Sequence, residues 1–476
     1  MLEPESTLFV LVSFEGPDVY SQAGGLGVRV KELSRALADR GYRTHLFFIG
    51  DPTLPAQEDL VDGRLTLHRW SQWLSQRFPL GVYSGEEAKI ADLNRSLPDF
   101  LVREIVRPAV AQGWTVVVLG EEWHLTQFMS ILSDALYFND LRDRCLLLWN
   151  ANNHFGFHRI NWGTLGFVTT ITTVSRYMKH IMWRWGVNPI VIPNGIPGSM
   201  IAKVSQLQVR AIRAAVDTPA FLFKIGRFSP DKRWHQAVAA VARLKERGVR
   251  ARLLMRGGLE PFGGEVLEFA AYQGLRVAQL SQTMSDVAGL ARTVKEYPDA
   301  DIWNVTAFLP DDLLPPLYAS ATATLANSGH EPFGLVGLEA MASGGVAFVG
   351  ATGEDYAEPF QNAIVIETED ASEIVAYVTW LADHPESTRN LRIAAQRTAR
   401  EYTWQRVIDI LLRRLEFIAL RQGLQSVPVS TAAPETPPPG ASVPETLGRE
   451  STDVPQSAPP STSVPETLGR ESTEHA

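Results

Sequence analysis

The sequence predicts an α/β protein built from two doubly wound parallel-sheet domains that face a central cleft. Short apolar runs alternate with longer helical ones along most of the chain, as in parallel sheets covered by helices. A length of 476 residues suits two large domains. A hydrophobic content of 45 % with a mean hydropathy near zero describes a globular protein with room for sizeable cores.

In the first half the predicted strands are Leu8–Ser13, Thr44–Ile49, Thr115–Leu119, Cys145–Trp149, Ile171–Val174 and Ile190–Ile192, with helices over Gly27–Arg40 and Ser175–Trp185. In the second half they are Phe221–Ile225, Arg252–Met255, Val305–Leu309, Thr322–Ala326, Val346–Val349 and Ala363–Glu367. Helices over Arg233–Arg247, Pro332–Ala342 and Ala371–Ala382 alternate with them. The halves join near Pro193–Ser199, which divides the chain into domains 1–197 and 198–402. A ligand then belongs in the cleft, at the C-terminal ends of both sheets. The amphipathic run Thr403–Arg421 makes 403–422 a terminal helix suited to cross back onto the first domain. From 423 to 476 the composition turns to Pro, Ser, Thr and Glu, with SVPETLGREST at Ser442–Thr452 and again at Ser463–Thr473. Such a tail buries too little apolar surface to offset its ordering entropy and reads as disordered.

Of the net charge of −9, the tail from Gln425 carries −5, and the mild remainder gives no nucleic-acid footprint. The single cysteine, Cys145, cannot close an internal disulfide, which fits a reducing, cytoplasmic compartment. It lies in the apolar run RCLLLW and reads as an inert buried thiol. The opening MLEPESTLFVLVSFEG has acids and no positive region before its apolar run, so it reads as a first strand. No run of eighteen apolar residues suggests a transmembrane helix. The basic, aromatic RYMKHIMWRW (Arg176–Trp185) suits either peripheral membrane contact or, more ordinarily, packing between domains.

The most informative segment is SGHEPFGLVGLEAMASG, Ser328–Gly344. A strand-like run leads into a turn holding Glu331, Pro332, Phe333, Gly334 and Leu335, and Glu339 follows on a helix. Carboxylates there accept hydrogen bonds from sugar hydroxyls, and a helix start with a close-approach glycine favours phosphate. In KIGRFSPDKRW, Arg227 and Lys232 follow a strand end five residues apart, a spacing that can clamp a diphosphate. Near the N-terminus, SQAGGLGVRV places Gly24, Gly25, Leu26 and Gly27 in a loop before a helix, where backbone can approach phosphates. A dinucleotide fingerprint would set its glycines directly after the strand and a lone acid at the end of the second strand, whereas here eight residues separate Ser13 from Gln22 and the apolar run continues to Asp51. His154 follows an apolar strand end and points toward the cleft, with His158 and Arg159 one turn on. Glu121, Glu122, Trp123 and His124 end another strand. Asp299-Ala-Asp301 precedes a strand and lacks a third ligand nearby, so it reads as a surface turn, with no metal required.

EPFGL…EAMA, with its glutamates eight apart, resembles the signature of retaining GT-B glycosyltransferases of family 4, including glycogen and starch synthases. The resemblance implies two Rossmann-like domains and transfer of a hexosyl group, glucosyl by preference, from a nucleoside diphosphate sugar to a saccharide or other glycan hydroxyl. It implies no cofactor and no metal, the nucleotide sugar being a co-substrate. Glu331 would touch the transferred sugar, Glu339 the ribose, and Arg227 and Lys232 the departing diphosphate. The Gly24–Gly27 loop, like the GGLG element of those synthases, would face the donor phosphates, and Phe333, Gly334 and Leu335 would line the donor. His154 would support the reaction centre. Glu122 and Trp123, with His158 and Arg159, are acceptor-side candidates. After Gly350 the run ATGEDYAEP departs from the glycine pair followed by glutamate that relatives often show. A phosphorylase of the same fold, releasing sugar phosphate without nucleotide, and a catalytically silent nucleotide-sugar-binding partner remain alternatives.

Overall fold

The computed structural model describes residues 2–424, so the repeated SVPETLGREST tail lies outside the described residues. Two sheets account for all fifteen strands of that span. The first contains β1 (Thr7–Val12), β2 (Arg43–Ile49), β3 (Gln57–Leu60), β4 (Leu65–Trp70), β5 (Thr115–Glu121), β6 (Cys145–Ala151), β7 (Thr170–Thr173) and β8 (Ile190–Val191). The second contains β9 (Ala220–Ile225), β10 (Ala251–Arg256), β11 (Val277–Leu280), β12 (Ile302–Val305), β13 (Ala323–Ala326), β14 (Ala347–Gly350) and β15 (Ile364–Ile366).

Their orders are β3-β4-β2-β1-β5-β6-β7-β8 and β11-β12-β10-β9-β13-β14-β15. Every pairing is parallel except β3 with β4. Helices cover both faces, so central strands must be apolar on both sides. TLFVLV in β1 and CLLLWNA in β6 are accordingly buried at every position, Cys145 included. Burial pushes the Cys145 thiol up to about 12, which leaves it un-ionised and inert. Strand order reverses direction between β1 and β5 in one sheet and between β9 and β13 in the other. Crevices open at such switch points, beyond the C-terminal strand ends.

The chain passes from the first sheet to the second near Ile196 and returns near Thr403, and these two passages pair. Ile196 N–H donates to Tyr402 O at 2.9 Å and Trp404 N–H donates to Ile196 O at 3.1 Å. The returning helix, Trp404–Arg421, buries Trp404, Val407, Ile408, Leu411, Leu415 and Ile418 against Phe9, Leu11, Leu37 and Phe48 of the first domain. Arg40 pairs with Asp409 on the rim of that contact.

Three strands escape a reading by apolar runs. β3 is the polar edge QEDL, β4 carries His68 and Arg69, and β11 is a four-residue edge. The strand expected at Val305–Leu309 lies upstream at Ile302–Val305, where Asn304 is buried and donates to Gln279 at 2.7 Å. Phe308, read as strand, is exposed. Asp301 is a second correction. It is no surface carboxylate, because Lys245 Nζ donates to it at 2.9 Å and Arg276 N–H at 2.8 Å. No described helix is long and apolar enough to cross a membrane. The helix Arg176–Trp183 begins at the domain junction, where Arg176 N–H donates to Asp355 at 2.7 Å and Tyr177 Oη lies 3.0 Å from His330 Nδ1.

Candidate active site

A cleft of about 1010 Å³ lies between the C-terminal ends of the two sheets. From the second sheet, β9 ends at Ile225 and the chain turns through Arg227, which is exposed, and the turn Pro230–Lys232. Trp234, buried at the start of the next helix, fixes that turn by donating from Nε1 to Arg227 O at 2.9 Å. Lys232 Nζ sits 2.5 Å from Glu331 Oε2, so a cation and a carboxylate from adjacent strand ends already meet in the cleft. Below them Lys224 is buried and donates to Leu325 O at 2.9 Å and Asn327 Oδ1 at 2.7 Å. Burial, then the charge of Lys232, lowers its ammonium to about 7.

The helix expected over Pro332–Ala342 begins three residues later, at Leu335. Pro332 and Phe333 remain in the loop because Gly334 adopts φ +79°, a left-handed conformation that suits glycine and interrupts the helix. Phe333 is buried against Tyr356 and Tyr402, with ring centroids 5.8 and 6.1 Å away. Glu339 accepts from Tyr318 Oη at 2.9 Å, and burial raises its carboxyl to about 7. Leu335, Gly334 and Phe333 line the cleft along with Glu331 and Glu339.

The departure at ATGEDYAEP has a structural result. Thr352 Oγ1 accepts from Glu331 N–H at 3.0 Å and lies 3.3 Å from Glu331 O, fixing the main chain of the glutamate. A Cβ on Gly353 would fall 2.1 Å from Glu331 O, so only glycine allows this approach. Glu354 follows, buried, receiving Thr352 N–H at 3.2 Å on one oxygen while the other has no partner among the described residues. Burial, then the charge of Glu331, pushes its carboxyl from 4.5 up to about 8.

A folded chain that keeps a proton the unfolded chain releases gains stability below the unfolded value, and loses it as pH rises toward the folded one. The unfolding midpoint should therefore fall between about pH 5 and about pH 8, and Glu354→Gln should flatten part of that fall. Glu122, raised to about 8 by burial, and Glu339 act in the same direction. A midpoint with the same pH slope in wild type and Glu354→Gln would remove Glu354 from this account.

The opposite wall comes from the first sheet. Beyond β6, His154 is exposed and lines the cleft beside Asn152 and Asn153. Beyond β5, Glu122 lines it in a strained conformation, φ +73°, and accepts from Asn152 N–H at 2.7 Å and Asn153 N–H at 3.2 Å. Trp123 lines it too, backed by Gly156, where a Cβ would fall 2.4 Å from the indole. Beyond β1, Gly24, Gly25 and Leu26 reach the cleft.

Three expected residues do not line it. Gly27 is buried, and a Cβ there would meet Gly16 O at 2.9 Å, so this glycine serves loop packing. His158 is exposed on the turn Phe157–Arg159 and does not reach the cleft. Arg159 lies over the Trp123 ring at 4.7 Å and reaches Glu87 at 3.4 Å. The glycine loop also differs from its expected chemistry. The N–H groups of Ala23, Gly24 and Gly27 donate to Glu15 Oε2 at 3.2, 2.9 and 3.1 Å. A carboxylate of the chain itself thus sits where phosphates were expected. Glu15 and Lys224 went unread because each follows or sits within an apolar strand run, where a lone charge carries no spacing signal.

Residues 205–398 match the family model described as glycosyl transferases group 1. That span of the chain resembles this family. The matched span holds the second sheet with the Arg227, Lys232, Glu331 and Glu339 cluster. A D-inositol 3-phosphate glycosyltransferase of Thermomonospora curvata is 30 % identical over 126 residues, 26 % of this chain and 29 % of that protein. A GDP-mannose-dependent alpha-(1-6)-phosphatidylinositol dimannoside mannosyltransferase of Mycobacterium tuberculosis is 27 % identical over 264 residues, 53 % of this chain and 58 % of that protein. The chain thus spans less than two thirds of the length of the curated relatives it matches. The catalytic domain of starch synthase IV from Arabidopsis thaliana, solved with ADP and acarbose, superposes with a TM-score of 0.62 at 14 % identity, covering 88 % of this chain and 99 % of that one. The match and this likeness support the GT-B architecture: two Rossmann-like domains about a cleft.

Proposed function

We propose that the protein is a retaining glycosyltransferase of family 4 that moves a hexosyl group from a nucleoside diphosphate sugar to a hydroxyl of a saccharide or other glycan acceptor. The observation that carries this reading is the convergence of Arg227, Lys232, Glu331 and Glu339 on one wall of the cleft. Arg227 and Lys232 neutralise charge that builds on the departing diphosphate as the glycosidic bond breaks. Glu339 accepts from the ribose hydroxyls, Glu331 orients the sugar, and His154 supports the reaction centre from the facing wall. No metal takes part in this scheme, since the two cations supply the positive charge. The relatives named for inositol phosphate and mannoside transfer, and the ADP complex of the starch synthase, support sugar transfer from a nucleotide donor. Glucosyl is the sugar favoured by the SQAGGLG loop, and a cytoplasmic site of action accords with the lone thiol.

Thermal unfolding with ADP, UDP and GDP in turn tests the donor. A ligand at about 100 times its dissociation constant stabilises by roughly 2.7 kcal/mol, which raises the midpoint measurably. One nucleotide is expected to do so, and Glu339→Ala to abolish the shift. No shift with any nucleotide, but one with inorganic phosphate, would replace this reading with a phosphorylase.

A further inference from the structure

From Arg144 to Val216 the sequence holds eight lysines and arginines and no aspartate or glutamate, in a chain whose net charge is −9. The helix Arg176–Trp183 lies within that stretch and packs onto its own domain through Met178 and Met182. Its first turn meets Asp355 and His330 of the second domain, so packing between domains accounts for that turn and not for the far end. There His180, Trp183 and Arg184, three and four residues apart, share one exposed face.

Trp183 is 52 % exposed, and Trp185, just beyond it, 41 %. Trp185 joins this face to the loop after β6. Its ring centroid lies 6.2 Å from that of Trp162 and 6.3 Å from that of Phe157, and those two lie 5.0 Å apart. The loop adds exposed Phe155 and His158, and the helix Trp162–Val168 adds Phe167, 90 % exposed. Phe155 also lines the cleft, so the patch borders the wall that holds His154. Of the neighbouring cations, Arg159 is engaged with Trp123 and Glu87. Lys179 and Arg184 pair with no carboxylate among the described residues.

Aromatic rings gathered in water mark a surface that another phase or partner covers. Unpaired cations beside them call for a negatively charged one. Trp rings, apolar with a polar N–H at the edge, suit the layer between lipid headgroups and acyl chains. A soluble polyanion would meet the charge and leave the rings in water.

We propose that this face seats the protein on the surface of an anionic lipid bilayer. Phe155, Phe167, Trp183 and Trp185 enter the headgroup layer while Lys179 and Arg184 meet lipid phosphates. The cleft rim at Phe155 then lies beside the bilayer. The proposal stands apart from the glycosyltransferase reading, because neither nucleotide nor sugar takes part in the contact.

Co-sedimentation of the full chain tests it, with vesicles of phosphatidylcholine alone and with about one third phosphatidylglycerol, at low ionic strength. The mixed vesicles are expected to bind about tenfold or more tightly than phosphatidylcholine alone. An acidic chain is repelled by such vesicles unless a local patch binds them, which makes this preference diagnostic. Lys179→Glu combined with Arg184→Glu should weaken the binding about tenfold or more, and Trp183→Ser several-fold. No preference for the mixed vesicles, or binding unchanged in either folded variant, overturns the proposal. So does binding to poly(U) as tight as to the mixed vesicles, which would make the face a site for a soluble polyanion. If one variant fails to fold the other decides, and if both fail the lipid preference decides alone.

Discussion

Arg227→Ala is expected to lower turnover by on the order of 100-fold or more, with the unfolding midpoint unchanged. The side chain is exposed in the cleft, so its removal leaves no hole in the core. Its loss falls on the transition state, because charge on the diphosphate grows as the sugar leaves and a fixed cation gains in that step alone. Lys232→Ala should have a similar effect on turnover but a second consequence. Its partner Glu331, 2.5 Å away, loses its counter-charge and the orientation it provides. A double-mutant cycle of Lys232 with Glu331 should therefore be non-additive, whereas Arg227 with Glu331 should be closer to additive. Initial rates at saturating donor and acceptor decide the first point. Near-normal turnover in Arg227→Ala would remove it from the leaving-group site.

The second large effect belongs to stability. Trp404→Ala should cost about 3–5 kcal/mol, as truncation of a buried tryptophan does. The indole is buried, a Cβ on Gly195 would fall 2.6 Å from it, and the Arg29 guanidinium lies over it at 6.0 Å. Arg29 is buried as well, bound to Glu121 at 3.1 Å and to Asn194. Removing the indole therefore opens a cavity beside a buried ion pair instead of at a surface. Denaturant unfolding gives the measurement, and a loss below about 1 kcal/mol would mean that the site collapses around the gap.

The central strands were legible because parallel strands covered on both faces must be apolar throughout, as in TLFVLV and CLLLWNA. The edges were not, since QEDL satisfies its backbone on one side and tolerates polar residues. At the site, Glu331 and Glu339 could be read because a turn and a helix set them at a recognisable spacing. Glu15 could not. Its role arises when β1 ends against the start of the following helix, an arrangement in space that no local spacing encodes. Gly27 was misassigned for the same reason. A glycine needed for close approach looks identical whether the neighbour is a ligand or, as here, the carbonyl of Gly16. Glu354 shows the reverse. The run ATGEDYAEP stood out as irregular, and only the contacts of Thr352 and Gly353 explain what the irregularity does.

The pairing of Ile196 with Tyr402 and Trp404 has a mechanical side. Both passages of the chain between the domains run side by side, stitched by main-chain hydrogen bonds. A joint of this kind behaves as a hinge, permitting rotation about one line and resisting sliding. Arg227, Lys232, Glu331 and Glu339 then travel as one rigid set, and Glu122, Trp123 and His154 as another. Rotation about that line would change the gap between the two walls of the cleft while the geometry inside each set stays fixed.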